Sequence, residues 1–222
     1  MNKKLRFPRE LSYLLGLLIL PLAVSIMTKA NLGLSMIAAP TYIISEKVTF
    51  LTYGQTEYIA QGIVLIIMCI VVKKFKWTYL TSYLTAVLYG TVLDFYLWLM
   101  RGWQPDSLPV RVAVFVAGML LTSLGVALFM NTYLAPAAWD YFVRTVVQEK
   151  QLDLRKFKLG YDFFFLVVSV ALTLLLFGRF IGITWGTLVI ALCNGNLIAF
   201  IDNFMKKHFE QYDLFPKLSK HF

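Results

Sequence analysis

Long apolar runs separated by short polar stretches dominate the chain. Since lipid cannot satisfy free backbone groups and no alternating barrel pattern is present, each run predicts a transmembrane helix of roughly 20 residues. The second and fifth runs are short, so we expect them to recruit the flanking residues Gln55–Glu57 and Gly160–Asp162. The six predicted spans are about Leu11–Thr28, Tyr58–Val72, Trp77–Met100, Val112–Leu134, Phe163–Gly178 and Phe180–Ile201.

Two of these runs are followed by a short apolar stretch that carries a proline. "LGLSMIAAPTYI" follows the first run and "LAPAAWDYFV" follows the fourth. Irregular backbone is tolerated at membrane depth only where protein or water satisfies it, so each stretch predicts a re-entrant half-helix. The alternative is an amphipathic helix on the membrane surface, which Trp139, Tyr141 and the Asp140–Arg144 pair at i,i+4 would suit.

The two halves of the chain resemble each other at a nearly constant offset. "GLLILPLAVSIMTKANLG" starts at Gly16 and "GMLLTSLGVALFMNTYLA" starts at Gly118, an offset of 102. Two further glycine matches, Gly54 with Gly160 and Gly90 with Gly195, have offsets of 106 and 105. Each half then holds three spans, and an odd number inverts the second half relative to the first.

These patterns predict an all-α membrane protein with six transmembrane helices in two inverted three-helix repeats. Each repeat carries a short re-entrant or interfacial helix after its first span. The chain forms one membrane domain over residues 1–222, with repeat one at about 11–100, repeat two at about 112–205 and a basic cytoplasmic tail at 206–222.

Composition agrees with a membrane protein. The chain is 59% hydrophobic and 15% charged, with a mean hydropathy of +0.70, whereas a soluble domain has about 25% charged residues. Of its 21 Lys and Arg residues, 16 fall in the segments that lie inside if both termini are cytoplasmic. The positive-inside rule therefore selects cytoplasmic termini. Anionic lipid headgroups also account for the net charge of +9, so no nucleic-acid partner is expected. A cleaved signal peptide is the disfavoured alternative at the start, because five more spans follow.

Asp94 is the first candidate for a functional side chain, because ionisable groups inside membranes are costly and usually functional. It shares a helical face with Thr91, Gly90 and Tyr83, a small and polar strip that suits a bundle interior. The alternative is a hydrated position at the outer interface, seven residues before Arg101.

Other polar residues of the spans form weaker candidates. Asn194 and Asn196 flank a glycine at mid-span, and Thr187 lies on the face of Asn194, which suits either a hydrogen-bonding site or a helix contact. Asp162 opens a helix, where capping competes with a site role. Asn31, Ser35, Asn131 and Asp140 complete the predicted set of substrate-binding or pathway residues, around the two short helices.

No catalytic residue, cofactor or metal site is predicted. Both histidines, His208 and His221, lie in the tail, and Cys69 and Cys193 are not spaced as ligands. The chain has no phosphate-binding loop of the Walker type and no GxSxG motif. We therefore expect no enzyme and no ATP-driven transport by this chain alone.

The motifs "KANLGLSMIAAPTYIIS", "LTYGQTEYI", "VLYGTVLD", "KFKLGYD", "GRFIGITWGT" and "CNGN" resemble the uncharacterised bacterial YczE/YitT-type membrane proteins. This resemblance implies a small polytopic protein of the bacterial inner membrane with no established substrate. Members often show proline, an aromatic residue and aspartate after a Leu-Gly turn. Here the second copy spaces out Pro136, Trp139 and Asp140, and the first has Ser35 and Pro40 without an acid, which argues against a shared binding role.

Two functions remain open on the sequence. The first is a transporter or exporter of a small molecule or ion, and the polar residues of the spans favour it. The second is a non-transporting accessory or scaffold component of a partner complex. The lipid bilayer is the expected partner in both cases, and a homo-oligomer is compatible with either.

Overall fold

The structure, a computed structural model, describes residues 5–216. Lys3, Lys4, Lys217, Lys220 and His221 therefore lie outside the described residues. The described chain forms eight helices and two short strands. The helices are α1 (Arg9–Ala30), α2 (Ala39–Lys47), α3 (Tyr53–Val72), α4 (Trp77–Leu99), α5 (Leu108–Met130), α6 (Ala138–Lys150), α7 (Leu154–Phe177) and α8 (Trp185–His208), and the strands are β1 (Leu5–Pro8) and β2 (Phe209–Tyr212).

Five of these helices are long and apolar enough to cross a membrane: α1, α3, α5, α7 and α8. The fold is therefore all-helical at its core, and these helices support a membrane protein. The predicted span at Trp77–Met100 is the helix α4, which is not among the five. It carries four tyrosines and four threonines, and these polar groups lower its mean hydropathy.

Two predicted boundaries are wrong. The last span was expected from Phe180, but residues 180–184 form a turn and α8 begins at Trp185, capped by the Thr184 hydroxyl. The fifth predicted span corresponds to α7, which takes in Gly160–Asp162 as expected and also extends back to Leu154. The Asp153 carboxylate accepts the backbone N–H of Lys156 at 2.7 Å and so starts α7 there.

α1 and α5 form the centre of the bundle and cross through glycines. Gly16 of α1 faces Gly125 and Phe129 of α5, while Gly118 of α5 faces Met27 and Ala23 of α1. Without side chains at these points, the two backbones approach closely, as small residues allow in membrane helices. The main hydrophobic core gathers around this crossing.

The remaining helices pack around this centre in matched pairs. α4 packs on α1 and α8 on α5. The short helix α6 packs on α3, and the short helix α2 packs on α7. Each short helix therefore contacts a long helix of the other half of the chain.

The N-terminal end of α6 lies inside the bundle. The backbone N–H of Ala138 donates to Gln61 Oε1 at 2.8 Å, in the middle of α3. The Ser82 hydroxyl of α4 donates to the carbonyl of Pro136 at 2.7 Å. Side chains of neighbouring helices thus satisfy the irregular backbone of the loop before α6. This end does not have the surface position that the alternative interpretation required.

The loop before α2 is also held by protein. The backbone N–H of Leu34 donates to the carbonyl of Gly182 at 2.9 Å, and the Tyr53 hydroxyl donates to the carbonyl of Ala38 at 3.2 Å. Ala39 is fully buried at the start of α2, whereas Lys47 at its end is exposed. α2 therefore runs from the bundle interior back to the surface.

Two antiparallel helix pairs differ in how closely they pack. A Cβ atom at Gly54 of α3 would overlap the carbonyl oxygen of Gly90 of α4, and one at Gly90 would lie 2.5 Å from the carbonyl oxygen of Gly54. No comparable packing joins α7 to α8. Gly160 of α7 and Gly195 of α8 both face open space.

The two ends of the bundle are distinguished by the chain segments that they carry. We call the end with the C-termini of α1 and α4 and the N-terminus of α5 the distal face, and the opposite end the terminal face. At the terminal face, β1 pairs in parallel with β2, with Leu5 opposite Phe209. The strand β2 belongs to the segment 206–222 that the sequence analysis assigned to the tail.

Candidate functional site

A cavity of about 670 Å³, which we call the distal basin, opens at the distal face. It lies between the ends of α1, α3 and α4 and the start of α5, with α2 on one side. Its lining is rich in charge, with three basic and three acidic side chains, and it includes aromatic rings. These residues are Lys29, Arg101, Arg111, Glu46, Asp94, Asp106, Tyr42, Tyr53 and Trp98.

Asp94 lies in the distal basin and holds the start of α3. Its carboxylate accepts the Thr52 hydroxyl at 2.5 Å and the backbone N–H of Gly54 at 2.8 Å. The first amides of a helix have no intrahelical partner and carry partial positive charge, so a carboxylate there is stabilising. Asp94 therefore ties the end of α4 to the beginning of α3, at the point where Gly54 meets Gly90.

Arg111 plays the opposite role at the end of α1. Its guanidinium donates to the carbonyls of Ala30 at 2.8 Å and Asn31 at 2.6 Å. Asn31 adopts a left-handed conformation with φ of 51°, which ends the helix. A cation at these carbonyls complements the negative end of the helix dipole. Asn31, a predicted site residue, thus reaches the basin through its backbone contact with Arg111.

Three other charges of the basin have no such contact. Lys29, Arg101 and Asp106 form no ion pair within residues 5–216. Lys29, in the last turn of α1, lines the basin.

A buried carboxylate lies one helical turn beneath the basin. Glu57 of α3 is 2% exposed and accepts the indole N–H of Trp139 at 3.1 Å. The Thr41 hydroxyl of α2 lies near this carboxylate and donates to the carbonyl of Ala38 at 2.9 Å. Glu57 therefore lies beside both short helices, near Thr41 of α2 and bonded to Trp139 of α6. We call Thr41, Tyr53, Glu57, Gln61 and Trp139 the Glu57 junction.

Gln61 completes this junction one turn further along α3. It is fully buried, and its Oε1 accepts the first amide of α6 from Ala138. Its Nε2 has no hydrogen-bond partner among the described residues. Because an unpaired buried amide is costly, this group marks a place where water or a ligand would be stabilised.

Two tyrosines lie between the Glu57 carboxylate and the basin. Tyr42 and Tyr53 both line the basin and pack edge to face, with ring centroids 5.3 Å apart. Tyr53 is four residues before Glu57 on α3 and is itself buried.

Ser35 and Asn194, both predicted site residues, meet at a second and much smaller cavity. Its volume of about 20 Å³ has room for about one water molecule. Asn194 accepts the hydroxyl of Ser123 at 2.7 Å, which fixes α8 to α5. This arrangement favours the helix-contact role of Asn194 over a solute site.

Asp140 and Asp162 come together toward the terminal face. Lys158 lies 3.0 Å from Asp162 Oδ1 and 3.9 Å from Asp140 Oδ1. Asp162 is in the third turn of α7, so the predicted capping role is wrong. Asn131 pairs with a different acid, since its amide donates to Asp202 Oδ1 at 2.7 Å.

The remaining predicted residues line neither of these two cavities. Thr187 is fully buried and belongs to the cap of α8. Thr91, Tyr83 and Asn196 are exposed on the bundle surface. Of the strip of α4 that was expected to face the interior, Gly90 is buried against α3 and Asp94 lies at the basin, whereas Thr91 and Tyr83 are exposed. The buried face of α4 also carries Ser82, Thr85, Ala86, Tyr89 and Leu93.

Sequence reasoning missed the Glu57 junction because it treated Glu57 only as a flanking residue that lengthens the second span. The signal was present in "TYGQ", where Thr52 and Gln55 form a capping box that starts α3 at Tyr53. With that start, Glu57 and Gln61 fall inside the helix on one face at i,i+4. Among the described residues, no group of three or more His, Cys, Asp or Glu side chains is arranged to hold a metal ion.

Comparisons with known proteins give a family without an assigned activity. The uncharacterized protein YyaS of Bacillus subtilis (strain 168) is 29% identical over 199 residues, which cover 89% of this chain and 94% of that relative. No solved structure matches the chain. A family model matches residues 7–203, and the chain therefore belongs to the family of unknown function DUF6198.

Proposed function

We propose that this protein is a transporter of a small polar solute, driven by an ion gradient across the bacterial inner membrane. Six spans form two inverted halves, with α4 as the sixth span. The terminal face is cytoplasmic, as the concentration of Lys and Arg in the segments at that end favours. The second candidate function is that of an accessory component of a partner complex.

The central helix crossing supports the inverted repeat. Moving Ala23 and Met27 by the offset of 102 residues gives Gly125 and Phe129. Gly118 faces the first two residues and Gly16 faces the second two. The same shift of 102 residues that aligns the two halves therefore converts the contacts of Gly118 into those of Gly16. This exchange is expected when a two-fold axis relates duplicated halves.

The observation that carries the proposal is the buried carboxylate of Glu57 beneath a polar basin. Intramembrane ionisable groups are expensive and mark ion or substrate pathways. Many secondary transporters place their sites near the midplane, where interrupted helices of the two halves meet. Trp139 of α6 donates to Glu57 and Thr41 of α2 lies near it, so Glu57 lies where the short helices of the two halves meet.

The residues suggest how coupling would work. Solute enters the basin while a proton reaches Glu57 past Tyr42 and Tyr53. Protonation of the Glu57 carboxylate removes the buried charge to which Trp139 donates, and this loosens the contact between α3 and the two short helices. Release of the proton on the other side restores the charge. Each cycle moves one proton onto and off one carboxylate oxygen.

The test compares Glu57→Gln with wild type in liposomes loaded with a metabolite extract of the host cell. Glutamine keeps an acceptor for Trp139, so we expect similar folding. We also expect at least a tenfold loss of solute exchange under a pH gradient, detected by mass spectrometry. Glu149→Gln, at an exposed ion pair with Lys74 and Lys76, is the matched control. Equal exchange by wild type and empty liposomes would contradict transport.

One observation favours the accessory role. α8 exposes Asn196, Gly195 and Leu192, the last at 77%, and small and polar residues on a membrane helix suit contact with another helix. If the protein has the accessory role, expression of the Glu57→Gln variant in a deletion strain would restore the wild-type phenotype. Expression of the Asn196→Leu variant would not. The opposite result is expected of a transporter.

A further inference from the structure

The distal basin holds charges that the fold does not use. Asp94 and Arg111 are committed to the start of α3 and the end of α1. In contrast, Lys29, Arg101 and Asp106 form no ion pair within residues 5–216.

Glu46 is the fourth such charge. It lies beside the Tyr42 hydroxyl and forms no ion pair within the described part of the chain. Two cations and two anions thus line one cavity, yet no opposite pair comes within 4.0 Å. Charges held apart in this way are complementary to a molecule that carries both signs.

We propose that the distal basin binds a small organic zwitterion, with its carboxylate at Lys29 and Arg101 and its ammonium group at Asp106 and Glu46. The proposal deepens the transport function and rests on it for its biological meaning, although binding can be measured alone. A simple anion would leave both acids facing its negative charge, and a simple cation would leave both bases unpaired.

The dimensions and the aromatic lining agree with such a ligand. A volume of about 670 Å³ lies within the roughly 300–1,000 Å³ range of small-molecule sites. Trp98 and Tyr42 supply ring faces that can contact the apolar part of the ligand or its ammonium group.

The experiment measures binding to purified protein in lipid nanodiscs by isothermal titration. Two sets of probes differ only in charge. The first is leucine, N-acetyl-leucine and leucinamide; the second is alanyl-alanine with the corresponding N-acetyl and amide forms. We expect at least one zwitterion to bind about tenfold more tightly than both of its singly charged analogues, because each analogue leaves either the two acids or the two bases of the basin without an opposite charge.

Variants then assign the two ends. Arg101→Gln combined with Lys29→Gln should remove the preference over the amide, and Asp106→Asn should weaken the preference over the N-acetyl form. Lys47→Gln is the matched control, because Lys47 is a distal-face lysine outside the basin that donates to the carbonyl of Leu176. It should leave both preferences unchanged.

Equal binding of the three forms in both sets, or binding of none, would overturn the zwitterion site. Retention of the preference in the double variant would overturn the assignment to Lys29 and Arg101. Zwitterion binding without exchange in liposomes would leave the site intact and contradict transport. Exchange of solutes that carry only one charge would support transport and overturn the zwitterion class.

Discussion

The helix pairs α3–α4 and α7–α8 contain glycines at matching positions of the predicted repeat, but these glycines make different contacts. Gly54 and Gly90 bring two backbones together, and Asp94 fixes that junction from α4. Gly160 and Gly195, their predicted counterparts, face open space. Similar sequence signals have thus produced one closed pair and one open pair.

The difference teaches that glycine permits close packing without requiring it. In the first half, the carboxylate of Asp94 adds an attraction that holds the pair together. α8 has no acid at the matching depth, and its Asp202 instead binds Asn131 and Lys206. α7 packs on α2 and α6 rather than on α8, and its Lys158 lies near Asp140 of α6. In a transporter, the two halves would alternate between these arrangements.

The largest expected effect is on stability. Gly90→Ala should lower the melting temperature by several degrees, because its Cβ would lie 2.5 Å from the Gly54 carbonyl oxygen and overpacking costs ~1–3 kcal/mol. Gly195→Ala, in open space, should be neutral or stabilising by up to ~1 kcal/mol. Thermal unfolding in detergent measures both. Equal melting temperatures for the two variants would remove the structural distinction between the pairs.

A second effect would show whether the open pair closes. Cysteines at Gly160 and Gly195, in a Cys69→Ala and Cys193→Ala background, should form a disulfide during turnover but not in the conformation described. Gly160→Cys with Leu188→Cys, two turns away on α8, is the register control. Gel mobility under a pH gradient measures cross-linking. Cross-linking of the control pair to the same extent would argue for random motion instead of closure.

Asp94→Asn should have a smaller effect. The amide oxygen retains an acceptor for Thr52 or Gly54, but the negative charge at the start of α3 is lost, which costs about 1 kcal/mol. A loss of stability with unchanged exchange would make Asp94 an anchor. A fall in exchange at equal stability would indicate that Asp94 is a residue of the transport pathway, as the sequence predicts.

The smallest effect concerns Glu149 at the terminal face. Hydrogen bonds from Lys74 and Lys76 lower the pKa of the Glu149 carboxyl below its usual value. A lowered pKa adds stability above the unfolded value of about 4.5, and this stability is lost as the pH falls through the folded pKa. Glu149→Gln should therefore lower the melting temperature slightly at pH 7. The difference should vanish under acid, and its persistence at low pH would contradict the ion pair.

The fate of individual residues shows how far the sequence could predict the site. Asp94 and Asn31 were predicted and lie at the distal basin, whereas Thr91 and Asn196 were predicted and are exposed. Helical periodicity states which residues share a face, but it does not say which face the neighbouring helices cover. Glu57 was expected within the second span, but it was counted as a flanking residue that lengthens the helix and not as a candidate site residue.

By itself, the sequence determined where the apolar helices lie and which glycines repeat. It also determined that a proline-bearing stretch follows the first and fourth runs, since a lipid solvent constrains length and polarity locally. Only the tertiary structure decided that Glu57 meets Trp139, 82 residues away, and that Gly54 touches Gly90 while Gly160 touches nothing. Such contacts depend on how rigid helices are rotated and spaced against one another, and no local pattern contains that information.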